Sequence, residues 1–186
     1  GIKNAILAGN HDNGVYTSGA FEGLLAAADS DNHETSDGAS GFAASDAVTA
    51  ADLLGMRKNM GKYGINPSEV VYIVSQDVYY NLLEDAEFQD ANLVGDMATK
   101  LSGEIGQVFG SRVLLCDEFA TPAVSKFGAI AVNPRNYVLP RLRGVTVESD
   151  YEVANQRRVL VASQRIGFTD LIDGATSKWG WMYKAS

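Results

Sequence analysis

Between Tyr137 and Ile172 the chain carries two long β-favouring runs, and no other feature limits its fold as much. The first, Tyr137 to Ser149, holds Tyr137, Val138, Leu139, Leu142, Val145, Thr146 and Val147. A polar turn is expected at Asp150-Tyr151-Glu152. The second run, Arg157 to Ile172, contains no proline and one interior glycine, Gly167. A strand of about sixteen residues at about 3.3 Å each spans roughly 50 Å. A compact chain of this length would be roughly 40 Å across. Such a ribbon must project or lie along an edge, and exposed edges invite partners. The reading from this feature is an assembly protein rather than a pocket enzyme.

The rest of the chain supplies a mixed body, so the fold class expected is α+β. Residues 9–42 are rich in turn-formers, with a polar loop from Ser30 to Ser40. Ser45-Asp46 is expected to cap a helix running to about Lys62, with Ala47, Ala50, Leu53, Leu54 and Met60 on its apolar face. Glu69–Val74 is a nearly continuous apolar run, expected as a central strand covered on both faces. Ser75 is placed as the cap of a helix from Asp77 to Asp85. Two further strands are expected at Arg112–Cys116 and Phe127–Val132, and a short closing strand at Trp179–Tyr183. Asn133-Pro134-Arg135 turns the chain into the ribbon. The opening residues Ala5-Ile6-Leu7-Ala8, followed by Gly9-Asn10, read as the end of a helix whose start lies upstream.

Charge is unevenly distributed. Residues 1–56 hold eight acids and one base, residues 57–134 ten acids and six bases, and residues 135–186 five acids and eight bases, within a net charge of −8. An acidic chain is a poor sequence-independent binder of phosphate backbones, which need Lys and Arg contacts. The ribbon arginines (Arg135, Arg141, Arg143, Arg157, Arg158 and Arg165) are expected to be solvated or paired with nearby acids. No run approaches the roughly 18 apolar residues of a membrane span. The single cysteine, Cys116, makes no intrachain disulfide and reads as a small buried residue.

No catalytic, cofactor or metal constellation emerges. His11 and His33 lie in polar stretches without metal-ligand spacing. Asp29-Ser30-Asp31 opens like a calcium loop, but Glu34 stands where the turn glycine belongs and Ser40 where the bidentate glutamate belongs. Gly103, Gly106 and Gly110 match neither a dinucleotide fingerprint nor a phosphate loop, and are expected to serve a tight turn before a strand. The acid pairs Glu84/Asp85 and Asp117/Glu118 have no base beside them in sequence. The enzyme alternative is a small α+β enzyme using loop acids with His11 or His33.

Several local motifs, in order, resemble the major capsid proteins of tailed bacteriophages, the Hong Kong 97-type fold. Ala5 to Asn10 and Gly23-Leu24 resemble the end of that family's spine helix and the following loop. Val70–Tyr80 resembles the axial-domain strand and helix. Gly106-Gln107-Val108-Phe109-Gly110-Ser111-Arg112-Val113 and the stretch from Ala131 to Arg165, with Tyr151 in the turn, resemble the segments that lead into and build the long ribbon. The resemblance implies an elongated P-domain (residues 1–24 and 133–170) and a compact axial A-domain (25–132 and 171–186). It also implies a C-terminal portion of a shell subunit, the arm and extended loop of the family lying upstream.

The function implied is a self-assembling virion subunit, not an enzyme, with no cofactor, and with pentameric and hexameric capsomers as homo-oligomers. It would be assembled in the host cytoplasm around a DNA-containing head. Scaffold, portal or decoration proteins are the implied further partners, with no sequence-specific nucleic acid and no membrane. The same family contains encapsulin compartments, the alternative shell. Some members form a lysine–asparagine cross-link assisted by a ribbon glutamate. Here Ser163 stands at the glutamate's place, with Gln156 and Asn155 near the asparagine's, so no cross-link through this region is expected.

Overall fold

A computed structural model describes residues 6–7, 23–29, 33–35, 48–84, 106–119, 121–122, 126–172 and 176–183. The helices are α1 (Leu24–Asp29), α2 (Ala50–Asn59) and α3 (Gln76–Glu84). The strands are β1 (His33–Thr35), β2 (Val71–Val74), β3 (Gln107–Val108), β4 (Ser111–Leu115), β5 (Phe127–Val132), β6 (Tyr137–Val138), β7 (Arg141–Glu152), β8 (Arg157–Ile166), β9 (Thr169–Asp170) and β10 (Lys178–Met182). Six of them form one mixed sheet in the order β1-β10-β5-β2-β4-β3. The other four form two separate antiparallel pairs, β6 with β9 and β7 with β8.

Helices cover both faces of the mixed sheet. On one face Leu53 and Met56 of α2, with Met60 just beyond it, and Val78 and Leu82 of α3 pack on Tyr72, Val74, Ala129, Ala131 and Trp181. On the other face Leu7 and α1 residues Leu24, Leu25 and Ala28 pack on Phe127, Ile130, Val132 and Met182. The split follows the strand period of two: Ala129 and Ala131 face one side, Ile130 and Val132 the other. The alanines leave room for the Trp181 indole. The strand enclosed along its whole length is β5. In β2, expected to be the enclosed one, buried and half-buried residues alternate.

Gly180 shows how tightly the sheet is filled. A Cβ there would stand 2.2 Å from the Phe127 ring. Gly110 is required for a different reason: with Phe109 it forms the two-residue turn between β3 and β4. Their φ values are 78° and 47°. Positive φ at both central positions marks the hairpin turn whose twist matches its strands. The tight turn expected from the glycine run is therefore made by Phe109-Gly110; Gly103 lies outside the described residues.

Three expected boundaries shift. Helix α2 is capped by Thr49 rather than Ser45-Asp46, which lie outside the described residues. The Thr49 amide donates to Asp52 Oδ2 at 2.9 Å, and Thr49 Oγ1 accepts from the Asp52 amide at 3.4 Å. This reciprocal box satisfies backbone donors at both ends of the first turn. The helix stops at Asn59, and a 3₁₀ turn (Gly61–Tyr63) follows. The ribbon turn also falls later than expected. Glu152 pairs with Arg157, so the loop is Val153-Ala154-Asn155-Gln156, with Gln156 left-handed at φ 49°.

The long second run is two strands, not one. It breaks at Gly167, whose amide donates to the Pro140 carbonyl at 2.9 Å. Pro140 has no N–H to extend a ladder on its own strand. The break divides the ribbon into a short root, β6 with β9, and a long arm, β7 with β8.

Candidate interaction surface

The twelve-residue β7 extends about 40 Å at the usual rise. Nearly all of β7 and β8 is exposed, and no residue of either strand is buried. The arm is thus a free two-stranded ribbon, a structure only marginally stable in water without covering.

Cross-strand pairing sorts its side chains into two unlike faces. The pairs Val147–Ala162, Ser149–Leu160 and Tyr151–Arg158 lie on one face, because directly opposed residues share a side. The pairs Glu148–Val161, Asp150–Val159 and Glu152–Arg157 lie on the other. Val147, Tyr151 and Leu160, 63%, 57% and 67% exposed, make the first face apolar. Acids from β7 make the second face charged. Near the root the register slips between Arg141 and Arg143 and again before Thr146, with Gly144 inside the irregular stretch. Bulges of this kind bend and twist a ribbon. Arg143 spans the bend, donating to Thr146 Oγ1 at 3.1 Å and to Glu148 Oε1 at 3.2 Å.

The root is anchored to the sheet by polar contacts. Buried Asn136 donates from Nδ2 to Ser177 Oγ at 2.9 Å, and its carbonyl accepts from the Leu171 amide at 2.7 Å. Asn133 donates to the Tyr63 carbonyl at 3.0 Å, and Lys178 Nζ lies 3.6 Å from Asp170 Oδ2. Tyr137 and Phe168 stack in parallel, 5.3 Å between centroids. A small cavity of about 130 Å³ lies here, lined by Ala27, Tyr137, Phe168, Thr169 and Asp170.

Three of the six ribbon arginines pair with acids as expected. Arg135 meets Glu69 at 2.6 Å, Arg143 meets Glu148, and Arg157 meets Glu152 at 2.5 Å. Arg141, Arg158 and Arg165 have no such partner among the described residues. The turn contains a contact that the sequence of β8 does not reveal, because the acid beside Asn155 comes from the opposite strand. Glu152, at the end of β7, accepts from Asn155 Nδ2 at 2.8 Å as well as from Arg157 Nε, so one carboxylate closes the turn. Ser163 stands opposite Thr146 on the ribbon.

His33 is placed on β1 rather than in a polar loop. β1 pairs in parallel with β10, and the imidazole is half-buried edge-on to Phe127, with Nδ1 3.4 Å from the Ala28 carbonyl oxygen. His11 lies outside the described residues, as do residues 30–32 and 36–40 of the calcium-like stretch. Cys116 is half-buried, packed beside the α1-side cluster. Among the described residues no group of three or more His, Cys, Asp or Glu is arranged to hold a metal ion, and no helix is long and apolar enough to cross a membrane.

No protein-family model matches the chain. It is 40% identical over 119 residues, 64% of its length, to a major capsid protein of Escherichia phage T5, and it spans about a quarter (26%) of that relative. Among solved structures it resembles a capsid of a native GTA particle at TM-score 0.67 and 18% identity, covering 98% of this chain and 60% of that one. It resembles a structure from Mycobacterium phage Che8 at TM-score 0.60 and 17% identity, covering 81% and 53%. The mature capsid of bacteriophage PhiM1 gives TM-score 0.58 and 13% identity, covering 83% and 52%.

Proposed function

We infer that this chain, which has the Hong Kong 97-type α+β fold of tailed-phage major capsid proteins, works as part of the structural subunit of an icosahedral virus head. The observation that carries this reading is the 40% identity across 119 residues to a major capsid protein. Its function is geometric: many copies tile a closed shell through repeated contacts. No reaction is assigned to it.

The mixed sheet and its helices, residues 25–132 and 171–186, act as the compact axial domain of a pentameric or hexameric capsomer. Residues 1–24 and 133–170 act as the elongated domain. The bare apolar face of Val147, Tyr151 and Leu160 supports that division, because such a surface is stable only when another segment or another copy covers it. The protein is placed in the virion, after assembly in the host cytoplasm. Scaffold, portal and decoration proteins are the further partners of this reading.

The test is to express the full-length subunit that contains this chain, image the product by negative-stain electron microscopy, and identify the shell protein of purified phage by mass spectrometry. Closed shells containing DNA, with this chain's peptides dominant, are the expected result. Shells carrying protein cargo and no DNA would place it among encapsulin compartments. A protein that stays monomeric, and is missing from the particles, would overturn the reading.

A further inference from the structure

The charged face of the ribbon is not uniform along its length. β8 runs regularly, so Arg157, Val159, Val161, Ser163 and Arg165 share that face. Both register shifts place their extra residue in β7, which sets Arg143 directly opposite Arg165. Like charges opposed in this way destabilise a strand pair. Further out the same face carries Glu148, Asp150 and Glu152, opposite Val161, Val159 and Arg157. The face is therefore basic at the root and acidic toward the turn.

Most of these charges are matched within the ribbon. Arg143 reaches along its own strand to Glu148, and Arg157 pairs with Glu152. Arg165 and Asp150 remain, both exposed and neither with a charged partner among the described residues. Asp150 Oδ1 accepts from the adjacent Tyr151 amide at 2.8 Å. The two cannot meet within one copy. Asp150 stands opposite Val159, six residues along β8 from Arg165, and six residues of strand span roughly 20 Å. Arg141 and Arg158 pair with Ile166 and Tyr151 on the apolar face, so neither competes for Asp150.

A stripe positive at one end and negative at the other is complementary to itself turned end for end. In two ribbons laid antiparallel and face to face, Arg165 of each copy stands over Asp150 of the other. The spacing of the two charges is the same in both copies, so both pairs form together. Sheets stacked face to face lie about 10 Å apart, a gap that an arginine and an aspartate bridge between them. Val159 and Val161, 37% and 54% exposed, lie between the two pairs and become covered.

We propose that the charged face of the ribbon docks, antiparallel, on the same face of a second copy of this chain, Arg165 of each against Asp150 of the other. The contact joins one patch to itself and is two-fold. It rests on the shell-subunit reading above and adds an interface on the face opposite Val147, Tyr151 and Leu160. Exposed ion pairs contribute little affinity; these set orientation and register.

The experiment uses two forms of the full-length subunit that contains this chain, Asp150→Cys and Arg165→Cys, with every other cysteine changed to serine. They are mixed one to one during assembly and oxidised with copper phenanthroline. In a mixed pair one Arg165–Asp150 contact stays unaltered and holds the register. The expected product is a disulfide between positions 150 and 165, located by mass spectrometry and formed only in the mixture. Disulfides joining 150 to 150 or 165 to 165, or no disulfide, overturn the proposal. In parallel, Arg165→Asp should fold, by circular dichroism, and lower particle yield several-fold, and adding Asp150→Arg should restore it. Unchanged yield in the single variant, or no recovery in the double one, also overturns it. Closed shells without the 150–165 disulfide sink this contact and leave the shell reading intact. The disulfide in small oligomers without shells keeps the contact and sinks the shell reading.

Discussion

Lys178 Nζ lies 3.6 Å from Asp170 Oδ2, joining a strand of the mixed sheet to the root of the ribbon. The lysine side chain is 5% exposed and the aspartate 23%. A nearly buried ammonium is tolerated only with a counter-charge, so the pair ties the position of β9 to that of β10. Asn136 and Ser177 make the neighbouring neutral link.

Removing one partner of this pair should cost more than removing both. Asp170→Ala leaves the Lys178 amine without its counter-charge and is expected to destabilise by about 3 kcal/mol. Lys178→Met with Asp170→Leu, which replaces both charges with apolar groups, should recover most of that loss. Urea unfolding of the three proteins is the measurement. A midpoint for Asp170→Ala equal to that of the unaltered protein would show that the pair holds nothing.

The ribbon's bare face predicts a separation of stability from assembly. Leu160→Glu changes a side chain that is already in water, so unfolding should move by no more than about 0.5 kcal/mol. The same change puts a charge into the surface that the shell reading requires to be covered, and particle formation should fail. Light scattering reads assembly, and thermal unfolding reads the fold. Particles at full yield would remove Leu160 from the interface.

Much of this arrangement was legible in the sequence, for identifiable reasons. β5 and β10 have sharp composition and clear borders, and both were placed within about a residue. The ribbon was visible because Val, Leu and Tyr recur with no helical spacing from Tyr137 onward. Its breaks were not visible. Gly167 interrupts the second run only because Pro140 lies opposite it, a pairing that no single strand reveals. The turn was misplaced because Asp150 and Tyr151 look like turn residues, while the left-handed residue is Gln156, with no glycine to signal it. The α2 cap was missed because Ser45-Asp46 offers an equal local signal and only Thr49 is followed by an acid three residues on. His33 read as a loop residue because a three-residue strand beside polar neighbours has no period to detect.

Gly180 is expected to tolerate no side chain. An added methyl would meet the Phe127 ring at 2.2 Å, where β10 pairs with β5 just before the register shifts between Trp181 and Met182. Gly180→Ala should therefore cost about 2 kcal/mol through overpacking. Combining it with Phe127→Leu, which withdraws the ring, should restore part of that loss. Chemical denaturation of both variants checks the pairing, and equal loss in the single and double variants would show that the contact is not the cause.

Tyr72 ties α2 to the sheet and should mark the alkaline limit of the fold. Its hydroxyl donates to the Leu53 carbonyl at 3.0 Å within the buried cluster. Burial raises its pKa above the ordinary 10.0, opposed by the nearby Arg57 charge and a hydrogen bond with Ser111. The folded state therefore holds this proton more tightly than the unfolded chain does. The stability from that difference is complete below pH 10, falls as the unfolded chain begins to ionise, and is gone once pH passes the folded value. Tyr72→Phe should cost about 1 kcal/mol at pH 7 through the lost hydrogen bond. It should also flatten the decline in stability between pH 9 and 11 relative to the unaltered protein. Urea midpoints across that range are the direct measurement, and parallel curves for the two proteins would show that the tyrosine proton does not contribute.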